Sequence, residues 1–220
     1  MTPSASRARP PRILVTAGPT REHVDPVRYL TNESTGRMGF AIAAEAARAG
    51  AEVVLVAGPV QLPTPSGVRR VDVVSAREML AAARREFRRC DALIMSAAVA
   101  DWRPRRKWSG KWRKTATRRE VATLELVENP DILRTLCQRK GARLAIGFAL
   151  ETGAGLARAR AKLARKGADY IVLNGPASLG GARTSAVLLG RDGTLTRFED
   201  TTKVALARAL ARLCLQRRSA

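Results

Sequence analysis

Two segments carry residue types suited to binding phosphate and carboxylate groups. The first, residues 18–39, reads GPTREHVDPVRYLTNESTGRMG. It opens on Gly18, and Ser34, Gly36 and Arg37 lead from it into an alanine-rich stretch of helical periodicity. Small residues at a helix start leave backbone N–H groups open, and phosphate oxygens dock on them. Arg21, Arg28 and Arg37 add to this, because a planar guanidinium matches phosphate or carboxylate oxygens two at a time. The segment has neither the G-x-G-x-x-G of the common dinucleotide fingerprint nor the lysine spacing of a P-loop. A nicotinamide oxidoreductase therefore fits the order of elements described below but not this loop.

The second segment begins SAAVADWRP directly after an apolar run. Ala97 and Ala98 allow a ligand to approach the backbone closely. Asp101 puts a carboxylate where it can meet a ribose, a base edge or a metal, or cap a turn. The chain continues as RPRRKWSGKWRKTATRR, with Gly110 at a hinge position and Trp108 and Trp112 interleaved among cations. Such a run can close as a lid over a triphosphate, or act as a nucleic-acid arm with stacking aromatics.

Other chemistries lack their residues. His23 is the only histidine and no G-x-S-x-G elbow occurs, which argues against a serine hydrolase triad. Cys90, Cys137 and Cys214 lie far apart with no C-x-x-C pair, so neither a zinc site nor a disulfide framework is expected. They read as bystander thiols in a reducing cytoplasm.

The elements that must position these segments follow from periodicity. Val-, Ile- and Leu-rich runs at 13–17, 52–57, 92–96, 143–148 and 170–173 do not alternate with polar residues, which suits strands covered on both faces. Between them lie helical patterns at 39–49, 76–89, 130–139, 155–166 and 202–216. This alternation predicts right-handed crossovers and an α/β, Rossmann-like parallel sheet flanked by helices. Ser75 stands three residues before Glu78 at capping-box spacing, and Gly50, Gly141 and Gly167 each follow a helix. Arg191, Asp192 and Gly193 between two short runs predict a C-terminal antiparallel hairpin at one edge. Ligands of open α/β sheets sit beyond the carboxyl ends of the strands, so the loops following them, including the short one at 149–155, are where function is expected.

With 220 residues and 45% hydrophobic content, the chain is expected to form one soluble domain over 12–218, with a disordered tail at 1–11 and a lid at about 101–121. No apolar stretch approaches the roughly 20 residues of a membrane-spanning helix, and the N-terminus has no apolar core for export. The formal charge of +21 attracts polyanions. Most of it is arginine on the polar faces of the helical patterns, where it is solvated and dispersed. A nucleic-acid-binding protein on an enzyme-like domain is the alternative reading, and nucleic acid is not the expected partner.

The series TAGPTRE, DPVRYLTN, STGRMGFAIA, GPV-x-LPTP, SAAVADW, a lysine-bearing lid, ENPDIL, GFALET and a C-terminal NG segment resembles phosphopantothenoylcysteine synthetase, the ligase of coenzyme A synthesis. The resemblance runs from Ile13 to about Leu213. It implies that the carboxylate of 4'-phosphopantothenate attacks the α-phosphate of CTP with Mg²⁺, giving an acyl-cytidylate and pyrophosphate, after which the amine of cysteine displaces CMP. It implies that Asn32 holds the intermediate and donates to the oxyanion, and that Arg28 serves the same half-reaction. Lys111 and Lys114, in a lid motif that here reads KWRK, would neutralise the triphosphate. Ala97, Ala98, Asp101 and Phe148 would line the nucleotide pocket, Phe148 being equally readable as a core aromatic. A cytoplasmic homodimer is implied.

The sequence departs from the family at Asn174-Gly175-Pro176 and at residues 180–185, where bacterial members commonly have an aspartate and an asparagine more, a change on the nucleotide side. The flavin-dependent decarboxylase that many bacterial members carry is expected on a separate protein, or this domain is a free-standing descendant.

Overall fold

The computed structural model describes residues 9–113, 122–151, 155–178 and 180–216. Five apolar runs form the strands β1 (Arg12–Ala17), β4 (Glu52–Ala57), β6 (Ala92–Met95), β9 (Leu144–Leu150) and β10 (Tyr170–Asn174). Together with β5 (Val68–Asp72), β11 (Arg183–Gly190) and β12 (Leu195–Thr202), they make an eight-stranded sheet among the described residues, in the order β12-β11-β10-β9-β6-β1-β4-β5. The pairs from β5 through to β10 are parallel. β11 and β12 are antiparallel additions at one edge, as the hairpin signal predicts. Gly193 takes the left-handed conformation in their turn, with φ 89°.

Alternation along β1 builds both halves of the core. Ile13, Val15 and Ala17 face one layer, with α1 (Arg37–Arg48) and α5 (Lys203–Gln216). Leu14 faces the other, with α2 (Ala76–Phe87), α3 (Ile132–Cys137) and α4 (Gly155–Lys166). Each fully buried Ile or Leu of this kind stabilises the fold by about 2 kcal/mol.

Helix ends follow local chemistry. Ser75 Oγ accepts from the Glu78 amide at 3.3 Å, while the Glu78 carboxylate accepts from Ser75 Oγ and the Val74 amide, both at 2.9 Å. Gly50, Gly141 and Gly167 all have positive φ. α3 starts later than its pattern, because Asp131 caps it by accepting from the Arg134 amide at 3.0 Å.

Three features are absent from the sequence reading. β5 is a polar edge strand carrying Arg69 and Arg70, with no apolar run to mark it. The long first loop folds back as a ribbon of β2 (Arg21–His23) and β3 (Tyr29–Thr31). The base of the expected lid is a second ribbon, β7 (Trp102–Pro104) paired with β8 (Leu126–Glu128). Of the expected tail, residues 1–8 lie outside the described residues. The remainder is tied to the sheet, with Arg9 donating to Asp91 and the Pro11 carbonyl accepting from Glu52. No helix of the described residues is long and apolar enough to cross a membrane.

Candidate active site

The loops after β1 and β6 are zipped together beyond the ends of their strands. The Ala98 amide donates to the Gly18 carbonyl at 2.9 Å, and the Ala98 carbonyl accepts from the Thr20 amide at 3.3 Å. Two buried hydroxyls reinforce the seam: Thr16 Oγ1 accepts from the Ala97 amide at 3.3 Å, and Thr20 Oγ1 from the Ala100 amide at 3.0 Å. Asn32 joins them from the end of β3, its Nδ2 donating to the Ala98 carbonyl at 3.2 Å. An amide nitrogen carries two hydrogens, so this bond orients the group and leaves one donor available.

The expected helix start is in place. Gly36, with φ 74°, precedes α1 without any side-chain cap on the helix. Its own amide is occupied, donating to Ser34 Oγ at 3.3 Å, so the open donors are the helical amides that follow. A Cβ on Gly36 would lie 3.4 Å from the Gly18 backbone and 3.1 Å from the Val60 side chain, so the Gly18 and Gly36 turns pack directly on each other. Gly39 brings α1 onto the sheet: a Cβ there would fall 2.4 Å from Ala17 Cβ and 2.6 Å from Ser96 Oγ.

Asp101, Ala97 and Phe148 share the wall of a cavity of about 430 Å³. Lys162 and Lys166 of α4 line it with them, as does Asn129, whose Nδ2 donates to the Ala100 carbonyl at 2.9 Å. Asp101 is exposed, and no turn-capping bond of its carboxylate is formed among the described residues. Phe148 is half-buried and does both things the sequence allows: it packs on the core and faces the cavity. Burial lowers the Lys162 pKa and Lys166 lowers it further, against the opposing pull of Glu151 and Asp101. Lys166 is held by Asp131. The two lysines escape sequence reading because they sit on an ordinary amphipathic helix; their four-residue spacing, which places them on one face, is the only signal.

Arg28 and Lys111 lie elsewhere. The Asp25 side chain is fully buried and accepts from the Val27 and Arg28 amides at 2.8 and 2.7 Å, from Arg28 Nε at 2.9 Å and from the Trp112 amide at 2.9 Å. The Arg28 guanidinium holds this carboxyl far below the ordinary aspartate range, against the upward push of burial, with the three amides assisting. Arg28 also donates to the Trp112 carbonyl and lies over its ring, 5.7 Å from the centroid. Trp112 in turn stacks on Trp108, whose amide donates to the Val24 carbonyl. The near part of the expected lid is thus fastened to the β2–β3 turn. Lys111, beside Trp112, is exposed and forms no hydrogen bond or ion pair with a described residue. Lys114 lies outside the described residues. Arg37 is turned to the Gly180 carbonyl at 2.8 Å. Asn174 and Gly175 border a separate, open depression beyond β10.

All three cysteines are free and buried, and burial pushes their thiols up to about 11 for Cys90 and Cys137 and about 12 for Cys214. A reactive thiolate is not available from them.

Comparison with known proteins agrees with the fold. The family model described as DNA/pantothenate metabolism flavoprotein C-terminal domain matches residues 9–217. The coenzyme A biosynthesis bifunctional protein CoaBC of Vibrio cholerae is 44% identical over 211 residues, covering 92% of this chain and 51% of that protein. Its counterpart in Escherichia coli K12 is 49% identical over 163 residues, 74% of this chain and 40% of that one. The chain therefore spans about half the length of the curated relatives it matches. A crystal structure of the C-terminal domain of a CoaBC protein superposes with a TM-score of 0.80 at 38% identity, covering 96% of this chain and 97% of that one. The chain belongs to the family of DNA/pantothenate metabolism flavoprotein C-terminal domains.

Proposed function

We propose that this domain ligates 4'-phosphopantothenate to cysteine through an acyl-cytidylate. A free carboxylate is a poor acyl electrophile, whereas its mixed anhydride with a nucleoside monophosphate is a good one. A site for such chemistry needs to hold a nucleotide, screen its phosphates and steady an oxyanion, and it needs no protein nucleophile. The observation that carries the reading is the Asn32 amide, fixed on the carbonyl of Ala98, whose neighbour Ala97 lines a cavity with Asp101 and Phe148, in the loop that leads to an uncapped helix start.

The spare Asn32 N–H donates to the oxyanion formed as the cysteine amine attacks. Lys111 offers an unpaired ammonium, among the described residues, at the near end of the lid for the triphosphate. Arg28, joined to that segment through Asp25 and Trp112, links it to the β2–β3 ribbon. Mg²⁺ would be held chiefly by the nucleotide phosphates, offsetting their charge, with Asp101 as the adjacent carboxylate.

Support for a homodimer comes from the two ribbons, where Val27, Tyr29, Trp102 and Leu126 are 61, 39, 48 and 42% exposed. Apolar side chains gathered in this way mark a protein contact. A cytoplasmic location is part of the same proposal.

The test is pyrophosphate release from CTP by the purified chain with Mg²⁺, which is expected to require phosphopantothenate and not cysteine. ATP in place of CTP reports the base preference. Absence of release with either nucleotide rejects the reading.

A further inference from the structure

α1 and α5 begin side by side at the carboxyl end of the sheet. They lie together on one face, and the Glu45 carboxylate, eight residues into α1, accepts from Arg208, five residues into α5, at 2.9 Å. A helix N-terminus carries positive partial charge and favours carboxylates in its first turn. Neither helix has one. α1 begins with Arg37 and α5 with Lys203.

Lys203 is only 8% exposed. Its backbone amide donates to the Ala182 carbonyl at 2.9 Å, and Arg37 donates to the Gly180 carbonyl at 2.8 Å, so one short loop brings the two cations together. Burial lowers the pKa of the Lys203 ammonium and neighbouring Arg37 lowers it further, with no carboxylate offsetting them. Among the described residues, neither side chain forms an ion pair with an acid. Desolvation, a like charge and two helix dipoles therefore all disfavour a cation here. An anion arriving at this point would reverse each of those terms, and the amides of α1, which lack a side-chain cap, would donate to it.

We propose that Lys203, with Arg37 and the first turn of α1, forms a phosphate subsite for the terminal phosphates of the nucleoside triphosphate and for the pyrophosphate they become. This rests on the ligase reading above. Asn32 precedes Gly36 in the sequence and Arg37 follows it, so in this proposal a triphosphate with its α-phosphate near Asn32 would run across the helix start toward Arg37 and Lys203. Pyrophosphate leaves from there when the carboxylate displaces it.

The experiment is calorimetric titration of the full chain with inorganic pyrophosphate, CTP and CMP, on the parent and on Lys203→Met. The variant is expected to bind pyrophosphate and CTP about tenfold more weakly and CMP unchanged, the loss of one charge-assisted hydrogen bond. Its ligand-free melting temperature should equal or exceed that of the parent, since a cation disfavoured by its surroundings has gone. Unchanged pyrophosphate affinity overturns the proposal, as does an equal loss for CMP, which would mark general damage. If Lys203→Met does not fold, Arg37→Gln on an exposed side chain makes the same discrimination. Pyrophosphate that binds through Lys203 without competing with CTP would reveal a site for free anions and overturn the nucleotide assignment. Lys203-dependent pyrophosphate binding by a chain that forms no pyrophosphate from CTP would sink the ligase reading and leave the anion subsite standing.

Discussion

At the scale of single residues, the proposed chemistry rests on a buried carboxylate and an exposed amide. Asp25 accepts from its own turn, from Arg28 and from the Trp112 amide, so it sets where the residue next to Lys111 stands. Asp25→Asn keeps the shape and loses the charge. It is expected to slow the pyrophosphate-releasing step more than the amide-forming step, as stopped-flow measurement of each would show. The sign of its pH dependence follows from the lowered pKa. Stability contributed by a carboxylate held below its unfolded value is complete above about pH 4 and drains away as the pH falls through the folded value. Acid unfolding of Asp25→Asn should therefore show a shallower pH dependence than that of the parent below that point. Asn32→Asp is the complementary change: activation should persist while amide formation falls by about a hundredfold or more, the cost of losing an oxyanion donor. Normal product formation by that variant would remove Asn32 from its role.

Two glycines of α1 and its C-terminal end are required for different reasons, and only one of them bears on the site. Gly39 is needed for space, since a methyl group there meets Ala17 and Ser96 well inside contact distance. Gly39→Ala should cost about 1–3 kcal/mol in urea unfolding and weaken nucleotide binding, because α1 must shift away from β1. Gly50 has open space around it but φ of 88°. Gly50→Ala should cost about 1 kcal/mol and leave nucleotide affinity untouched. Equal effects on nucleotide affinity from the two changes would contradict the role given to Gly39. The ribbons matter at this scale too, for β2–β3 carries Asn32 at its end and β7–β8 forms the base from which the basic segment departs.

Two features of the whole molecule are set by its surface. Many of the arginines behind the +21 charge are paired on the spot: Arg12 with Glu52, Arg69 and Arg85 with Glu86, Arg183 with Asp200. Such pairs disperse positive charge and do not focus it into a groove. The apolar side chains on the two ribbons, by contrast, form a feature that a second copy can cover. Val27→Glu combined with Trp102→Glu is expected to turn the proposed dimer into a monomer in sedimentation velocity, while the far-ultraviolet spectrum stays the same. An unchanged sedimentation coefficient would reject the ribbons as the interface.

By itself the sequence determined the five central parallel strands, the helices between them, the Ser75–Glu78 capping box, the left-handed glycines and the hairpin turn at Gly193. Each of these is written in residues within a few positions of one another, through apolar period, side-chain capping and backbone freedom. It also placed Asn32, Gly36, Ala97, Ala98 and Asp101 in loops beyond strand ends, because topology sends those loops to one side of the sheet. Only the tertiary structure decided which partners the long side chains reach. Arg28 meets Trp112 across 84 positions and Arg37 meets Gly180 across 143. Lys162, Lys166 and Lys203 likewise acquire their surroundings from distant segments. A flexible cationic side chain has several acceptors within its span, and choosing among them depends on burial and electrostatics that exist only after the layers have packed.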